Sequence, residues 1–322
     1  MRVAVLGLGS IGARHLRNLR SLGVSQLLAY DPRPESASVA GAAGAAFYDD
    51  PDALFAAGPD AAVVAAPTDR HLPLALAAAR HGCHLFLEKP LSHTTDGLDA
   101  LEREVAARGL AAMVACNMRF HPGPAAVRRL LAAGAAGRPL AARVVTESYL
   151  PRWRPASDYR ASYSASPESG GVLLDCIHEI DLALWFLGPA TLAGAAVLPA
   201  SGIGLAVDGL AELLLAHACG AVSSVRLSFV SRDYHRACRV VGEEGTLAWD
   251  FHRPEVLCFG PDGVARTVAQ WSPDWEVNAM YRDEMRHFLD CLERGDAPQN
   301  PLSEARASLD VALAARNGGG RP

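Results

Sequence analysis

Val3-Ala4-Val5-Leu6-Gly7-Leu8-Gly9-Ser10-Ile11-Gly12 opens the chain and decides how its first half is read. Four apolar residues form a short buried strand, and the glycine pattern G-x-G-x-x-G follows at once. A helix-like stretch runs over about residues 13–22, a second strand over residues 26–30, and Asp31 stands 19 positions beyond Gly12. Strand before, helix after and an acidic residue at that distance are the context that gives this glycine pattern meaning. Gly7 permits the tight turn, Gly9 lets the backbone approach a pyrophosphate, and Gly12 allows the helix to pack closely on the strand. The helix start at Ser10 and Ile11 offers backbone N–H groups and positive potential to phosphates. A dinucleotide is the ligand this stretch predicts. Asp31 is placed to accept from a ribose 2′-OH and would repel a 2′-phosphate, so NAD is favoured, with NADP possible. Arg33 leaves three readings open: it holds a 2′-phosphate, stacks on the adenine, or is a solvated loop residue.

The alternation continues outward. Residues 61–66 read as a buried strand, followed by Pro67-Thr68-Asp69-Arg70-His71 and a helix to about residue 81. A fourth apolar run, residues 83–87, ends in Glu88-Lys89-Pro90. A polar-faced helix over 95–108 and a strand over 112–116 complete the set. This order predicts an α/β fold: an N-terminal doubly wound parallel sheet with helices on both faces. Ligands of such sheets lie beyond the carboxyl ends of the strands. Pro67, Thr68, His71 and Glu88 are therefore expected along the cofactor groove, with Pro67 and Thr68 at its nicotinamide end. Arg119, in Asn117-Met118-Arg119-Phe120, occupies a similar strand end and is either a substrate anchor or an ordinary loop arginine.

Lys89 is the only lysine among 30 lysines and arginines. A composition so biased toward arginine retains an ammonium where a guanidinium fails, because lysine is a compact donor whose pKa can be pulled toward neutrality. A chance survivor on a loop is the alternative.

After about residue 122 the pattern changes. A helix over 123–134 gives way to β-like segments at 141–146, 211–216, 221–230, 238–241 and 246–250, which read as an antiparallel sheet with one open face. Helices return at about 276–292 and 303–316, and the tail from residue 318 is expected to fray. Two domains are thus expected, 1–121 for the dinucleotide and 122–322 for substrate and oligomerisation, with the C-terminal helices able to pack back on the first. Between the sheet segments, residues 170–186 read as one helix in which Leu174, Ile177, Leu182 and Trp185 face inward. Asp175, His178 and Asp181 are spaced by three along it. A carboxylate beside an imidazole orients it and raises its basicity, as a general base requires; a structurally satisfied histidine is the other reading. Tyr149, Trp153, Arg154 and Tyr159 lie in a stretch, 148–160, that reads as a substrate loop for an anionic or nucleotide-linked sugar or as a solvated interface loop.

Composition excludes several classes. The net charge of −5 argues against a general nucleic-acid binder, and no apolar run approaches a membrane span. Seven scattered cysteines without a Cys-x-x-Cys pair argue against disulfides and zinc, and the eleven histidines lack metal-ligand spacing, so no metal is expected. A strand at the very start, with no leader, leads us to expect a cytoplasmic protein.

Taken in order, Gly7-x-Gly9-x-x-Gly12, Glu88-Lys89-Pro90, Gly170-Gly171…Asp175…His178…Asp181 and Gly242-Glu243-Glu244-Gly245-Thr246-Leu247 resemble the Gfo/Idh/MocA (glucose–fructose oxidoreductase/inositol dehydrogenase-like) family over nearly the whole chain. The resemblance implies a Rossmann domain followed by an α/β domain whose open sheet forms a homodimer or homotetramer interface. It implies a nicotinamide cofactor and a sugar or cyclitol hydroxyl as hydride donor. Lys89 would polarise the reacting oxygen and His178 would move the proton. Many members place the acidic residue four before the histidine, whereas Asp175 stands three before His178, which puts its catalytic role in doubt. Two rivals remain: an NAD-retaining enzyme of epimerase or glycosidase type with no net redox, and a non-catalytic NAD sensor.

Overall fold

The computed structural model describes residues 1–153, 155 and 157–318. Arg154 of the substrate-loop stretch and the end of the tail lie outside the described residues. The chain divides into two compact units. The first comprises Met1–Asn117 and Asn278–Arg306, and the second Met118–Val277 and the chain from Ala307 onward.

In the first unit the chain runs β1 (Arg2–Leu6), α1 (Ser10–Ser21), β2 (Gln26–Tyr30), α2 (Ala37–Ala42), β3 (Ala46–Tyr48), α3 (Pro51–Ala56), β4 (Ala61–Val64), α4 (Thr68–Arg80), β5 (His84–Glu88), α5 (Leu98–Ala107) and β6 (Ala112–Ala115). Among the described residues its strands form a six-stranded parallel sheet in the order β3-β2-β1-β4-β5-β6. The reversal of direction between β1 and β4 is the topological switch point at which a doubly wound sheet opens a crevice. Val3–Leu6, Ala61–Val64 and Leu85–Leu87 are buried throughout. Such unbroken apolar runs are what a strand covered on both faces requires.

The second unit begins with α6 (Pro122–Ala132), β7 (Pro139–Tyr149), α7 (Val172–Asp175) and α8 (His178–Leu187). It continues through β8 (Ala190–Pro199), β9 (Asp208–His217), β10 (Val222–Ser228), β11 (Val230–Gly242), β12 (Thr246–Asp250), β13 (Glu255–Phe259) and β14 (Ala265–Gln270). The eight strands pair in the order β14-β13-β12-β11-β7-β10-β9-β8, antiparallel except for β7 with β10. Helices α6, α7 and α8 pack on one face. The other face alternates out of burial and exposes Leu214, Val222 and Val241. At its centre Glu147 and Glu212 both bind Arg226. Helix α9 (Asn278–Arg294) belongs to the first unit, and α10 (Leu302–Gly318) crosses the division at residue 306.

Three readings need correction. The segment 221–230 is two strands, since β10 ends at Ser228 and β11 starts at Val230. The 170–186 stretch is not one helix: the chain leaves helical geometry at Cys176 (φ −98°, ψ 30°), so Asp175 closes α7 and His178 opens α8. Both pieces are buried on nearly every side, so apolar periodicity carried no information about the break. Trp185 is only half-buried rather than packed inward. No helix among the described residues is long and apolar enough to cross a membrane.

Candidate active site

The glycine loop sits where β1 ends. Gly7 has φ +98°, and a Cβ there would lie 2.7 Å from the Ala66 backbone. A Cβ on Gly12 would meet the Gly7 carbonyl oxygen, again too close for any side chain. Gly9 is different: a Cβ there would meet nothing within 4 Å. It caps α1 without any side-chain hydrogen bond to the helix end. The first N–H groups of α1, at Ser10 and Ile11, thus receive no hydrogen bond from the N-cap residue, as an anion at a helix start requires. Leu8, Gly9, Ser10, Ala13, Arg33 and Ser36 line a cleft of about 360 Å³ at this point. These residues fit a dinucleotide.

Asp31, 3% exposed, bonds to two residues that line that cleft, Leu8 and Arg33. Its carboxylate accepts from the Leu8 N–H at 2.8 Å, from the Arg33 N–H at 3.0 Å, and from the Arg33 guanidinium at 2.8 and 3.0 Å. Burial alone would raise its pKa, but the Arg33 and Leu8 bonds outweigh that and hold it at about 2. The Arg33 side chain is 58% exposed, so solvent screens its hold on Asp31.

Further along the carboxyl edge, Pro67 and Thr68 follow β4, Pro67 as the residue preceding α4 and Thr68 buried at its start. Glu88 ends β5 and Lys89 follows it, half-buried. Glu88 is pinned: one carboxylate oxygen lies 2.7 Å from Nε2 of fully buried His15, and the other accepts the Lys89 backbone N–H at 3.2 Å. Burial raises the Glu88 pKa, but the His15 bond and charge more than reverse that, so the carboxyl stays ionised below its usual range. His71 is 1% exposed, and each ring nitrogen faces a backbone carbonyl, Pro90 at 2.8 Å and Ala66 at 2.9 Å.

In the second unit, Asp175, His178, Glu179 and Asp181 are all buried at the junction of α7 and α8. Gly171, at φ +94°, leaves the space that the Asp208 carboxylate fills, and Asp208 accepts the Leu173 N–H at 2.8 Å to cap α7. Glu179 and Asp181 fall in the first turn of α8, where a helix favours negative charge. Each has an arginine. Arg236 of β11 reaches Glu179 at 2.6 Å, and Arg119 grips Asp181 through two bonds of 2.9 and 2.6 Å. The Arg119 side chain is 3% exposed. Its geometry is that of a clamp holding the start of α8, on which His178 stands.

The substrate-loop residues are ordered by local contacts. Tyr149 carries the Arg232 guanidinium 4.1 Å above its ring, Trp153 donates to Ser148 Oγ at 3.1 Å, and Tyr159 donates to the Ile203 carbonyl at 2.8 Å.

Residues 1–116 match the family model described as oxidoreductase family, NAD-binding Rossmann fold, and residues 125–248 match that of the GFO/IDH/MocA C-terminal domain. The chain belongs to the Gfo/Idh/MocA family. Among its relatives, scyllo-inositol 2-dehydrogenase (NAD(+)) of Bacillus subtilis is 27% identical, the match covering 98% of this chain and 93% of the relative. Inositol 2-dehydrogenase of Rhizobium meliloti is 29% identical over 98% and 96%. A solved levoglucosan dehydrogenase, in complex with NADH and levoglucosan, superposes with a TM-score of 0.88 at 21% identity, covering 98% of this chain and 96% of that one. At that identity the likeness speaks for the fold alone.

Within this Gfo/Idh/MocA chain, residues that sequence reasoning missed stand beside those it found. His15 bonds to Glu88, and its signal was faint: a histidine on the inward face of α1. Tyr281 of α9 lies under the Arg14 guanidinium at 4.3 Å, and burial followed by the Glu88 charge pushes its hydroxyl pKa upward. Nothing in local sequence links residue 281 to residue 88. Arg236 and Asp208 are likewise long-range partners that no spacing announces.

Proposed function

We propose that the protein is an NAD-dependent dehydrogenase that transfers hydride between nicotinamide and a secondary hydroxyl or ketone of a sugar, cyclitol or nucleotide-linked sugar. The observation that carries this reading is the pairing of an uncapped helix start at Gly9 with an ionised Asp31 that bonds to Leu8 and Arg33 of the same cleft lining. The inositol dehydrogenases among its relatives support the substrate class. NAD is favoured over NADP, because a carboxylate held near pKa 2 accepts a ribose hydroxyl and repels a 2′-phosphate. The cofactor, when bound, supplies the hydride acceptor or donor. Lys89 holds and polarises the reacting oxygen, with Glu88 fixing the backbone from which it springs. His178 takes the hydroxyl proton in oxidation and returns it in reduction. Asp175 is the carboxylate assigned to orient that imidazole. Arg119 is assigned the positioning of α8 through Asp181. Tyr149, Trp153 and Tyr159 border the substrate. The protein acts in the cytoplasm as a homodimer or homotetramer joined through the open face of the eight-stranded sheet.

Titration of the purified protein with NAD and with NADP, followed by a sugar and cyclitol screen reading reduced-nicotinamide absorbance, tests the proposal. Binding of NAD with turnover of at least one polyol is expected; binding of neither dinucleotide overturns it. Asp31→Ala should raise the NADP/NAD affinity ratio, and an unchanged ratio would remove Asp31 from the ribose site.

A further inference from the structure

His71 stands on the first turn of α4, one turn from Pro67, and is sealed from solvent. Its Nδ1 lies 2.8 Å from the Pro90 carbonyl oxygen and its Nε2 2.9 Å from the Ala66 carbonyl oxygen. The first carbonyl belongs to the residue after Lys89, and the second to the turn that leaves β4. The ring therefore bridges two strand-end loops, and one of its ties is a single residue from the lysine. A carbonyl oxygen only accepts, and a neutral imidazole has one N–H. With one proton the ring ties one loop and sets a lone pair against the other. With two protons it ties both.

We propose that His71 is a proton-linked positioning residue that sets the placement of Lys89 by bridging the Ala66 and Pro90 carbonyls. The role of Lys89 itself rests on the function proposed above. The charged groups that face the ring are Glu88, which ends β5, and Lys89, which follows it. Burial disfavours the doubly protonated ring, and Lys89 adds to that; the two carbonyls and the Glu88 carboxylate favour it. Burial prevails, so the ring takes up its second proton only below the ordinary histidine range, and each protonation state presents a different loop geometry to Lys89.

The test uses the fact that Lys89 is the chain's only lysine. Acylation by acetic anhydride is followed by mass spectrometry across pH on the full-length protein, with the α-amino group of Met1 as internal reference. His71→Gln does not titrate, and its carboxamide still donates to a carbonyl; His71→Phe keeps a ring and donates nothing. Wild-type Lys89, measured relative to the reference amine, should show an additional inflection on the acid side of the ordinary histidine range that His71→Gln lacks. In His71→Phe the labelling rate near neutral pH should change by about tenfold, the effect of one pKa unit on the free-amine fraction. Superposable profiles for wild type and His71→Gln overturn the proposal, even if His71→Phe does not fold. Loss of NAD binding by the wild type would instead overturn the dehydrogenase reading and leave the labelling result to be judged by itself.

Discussion

Acid should destabilise the second unit through one buried histidine, His121. It is 2% exposed and walled by Trp249, Phe251, Trp271 and Trp275, with ring centroids 4.6 to 5.7 Å away. Its Nδ1 accepts the Gly123 N–H at 3.0 Å and so caps α6. An accepting nitrogen cannot carry a proton. Burial, and then the positive charge of Arg236, push the His121 pKa down to about 3 from 6.5. Because the folded value is the lower one, the unfolded chain takes up the proton first as pH falls. The contribution to stability is therefore complete above about pH 6.5 and declines by about 1.4 kcal/mol for each unit below it. It is gone near pH 3, where the folded form also protonates. At pH 5 the loss amounts to about 2 kcal/mol. His121→Asn supplies a good capping oxygen that does not titrate. Urea unfolding of both proteins at pH 7.5 and pH 5 isolates the effect, since the carboxylates they share cancel in the difference. Wild type should lose about 2 kcal/mol more than His121→Asn over that interval. An equal loss in both would refute the reasoning, because it would mean that His121 protonates without cost or that its ring is not buried in solution.

Two further substitutions probe the chemistry and its support. Lys89→Arg preserves charge but replaces the compact ammonium, and kcat/KM should fall by roughly 10², the scale of losing one preorganised electrostatic donor; near-wild-type turnover on the best substrate of the screen would exclude Lys89 from the mechanism. Arg119→Met strands the buried Asp181 carboxylate and should cost about 3–5 kcal/mol in denaturant unfolding, with most of that recovered when Asp181→Asn is added; a single-variant cost under about 1 kcal/mol, the range of an exposed pair, would show that the clamp is solvated.

The parallel sheet was legible because each of its signals is local. The apolar run Val3–Leu6, the glycines that follow it and the acidic residue after β2 obey spacings set by backbone geometry over some thirty residues. The second sheet was only half legible. Strand β8, Ala-Thr-Leu-Ala-Gly-Ala-Ala-Val-Leu-Pro, is built of small residues with weak strand preference. Its place at the sheet edge is decided by pairing with β9, not by its own composition. The helix reading of residues 170–186 failed for a related reason: where almost every side chain is buried, the contrast between faces on which periodicity depends disappears. The same limit governs the candidate site. Sequence marked Asp31, Glu88, Asp175, His178 and Asp181 by their distance from the glycine loop, their place at a strand end or their spacing by three. It could not mark their partners, since His15 lies 73 positions from Glu88 and Arg119 62 from Asp181, and it missed both members of the Arg236–Glu179 pair, 57 positions apart. Those partners keep the Glu88 carboxyl ionised and hold the start of α8 in place. In this chain, then, the chemistry can be nominated from residue type and spacing, but the electrostatics that would make it work are a property of the tertiary fold.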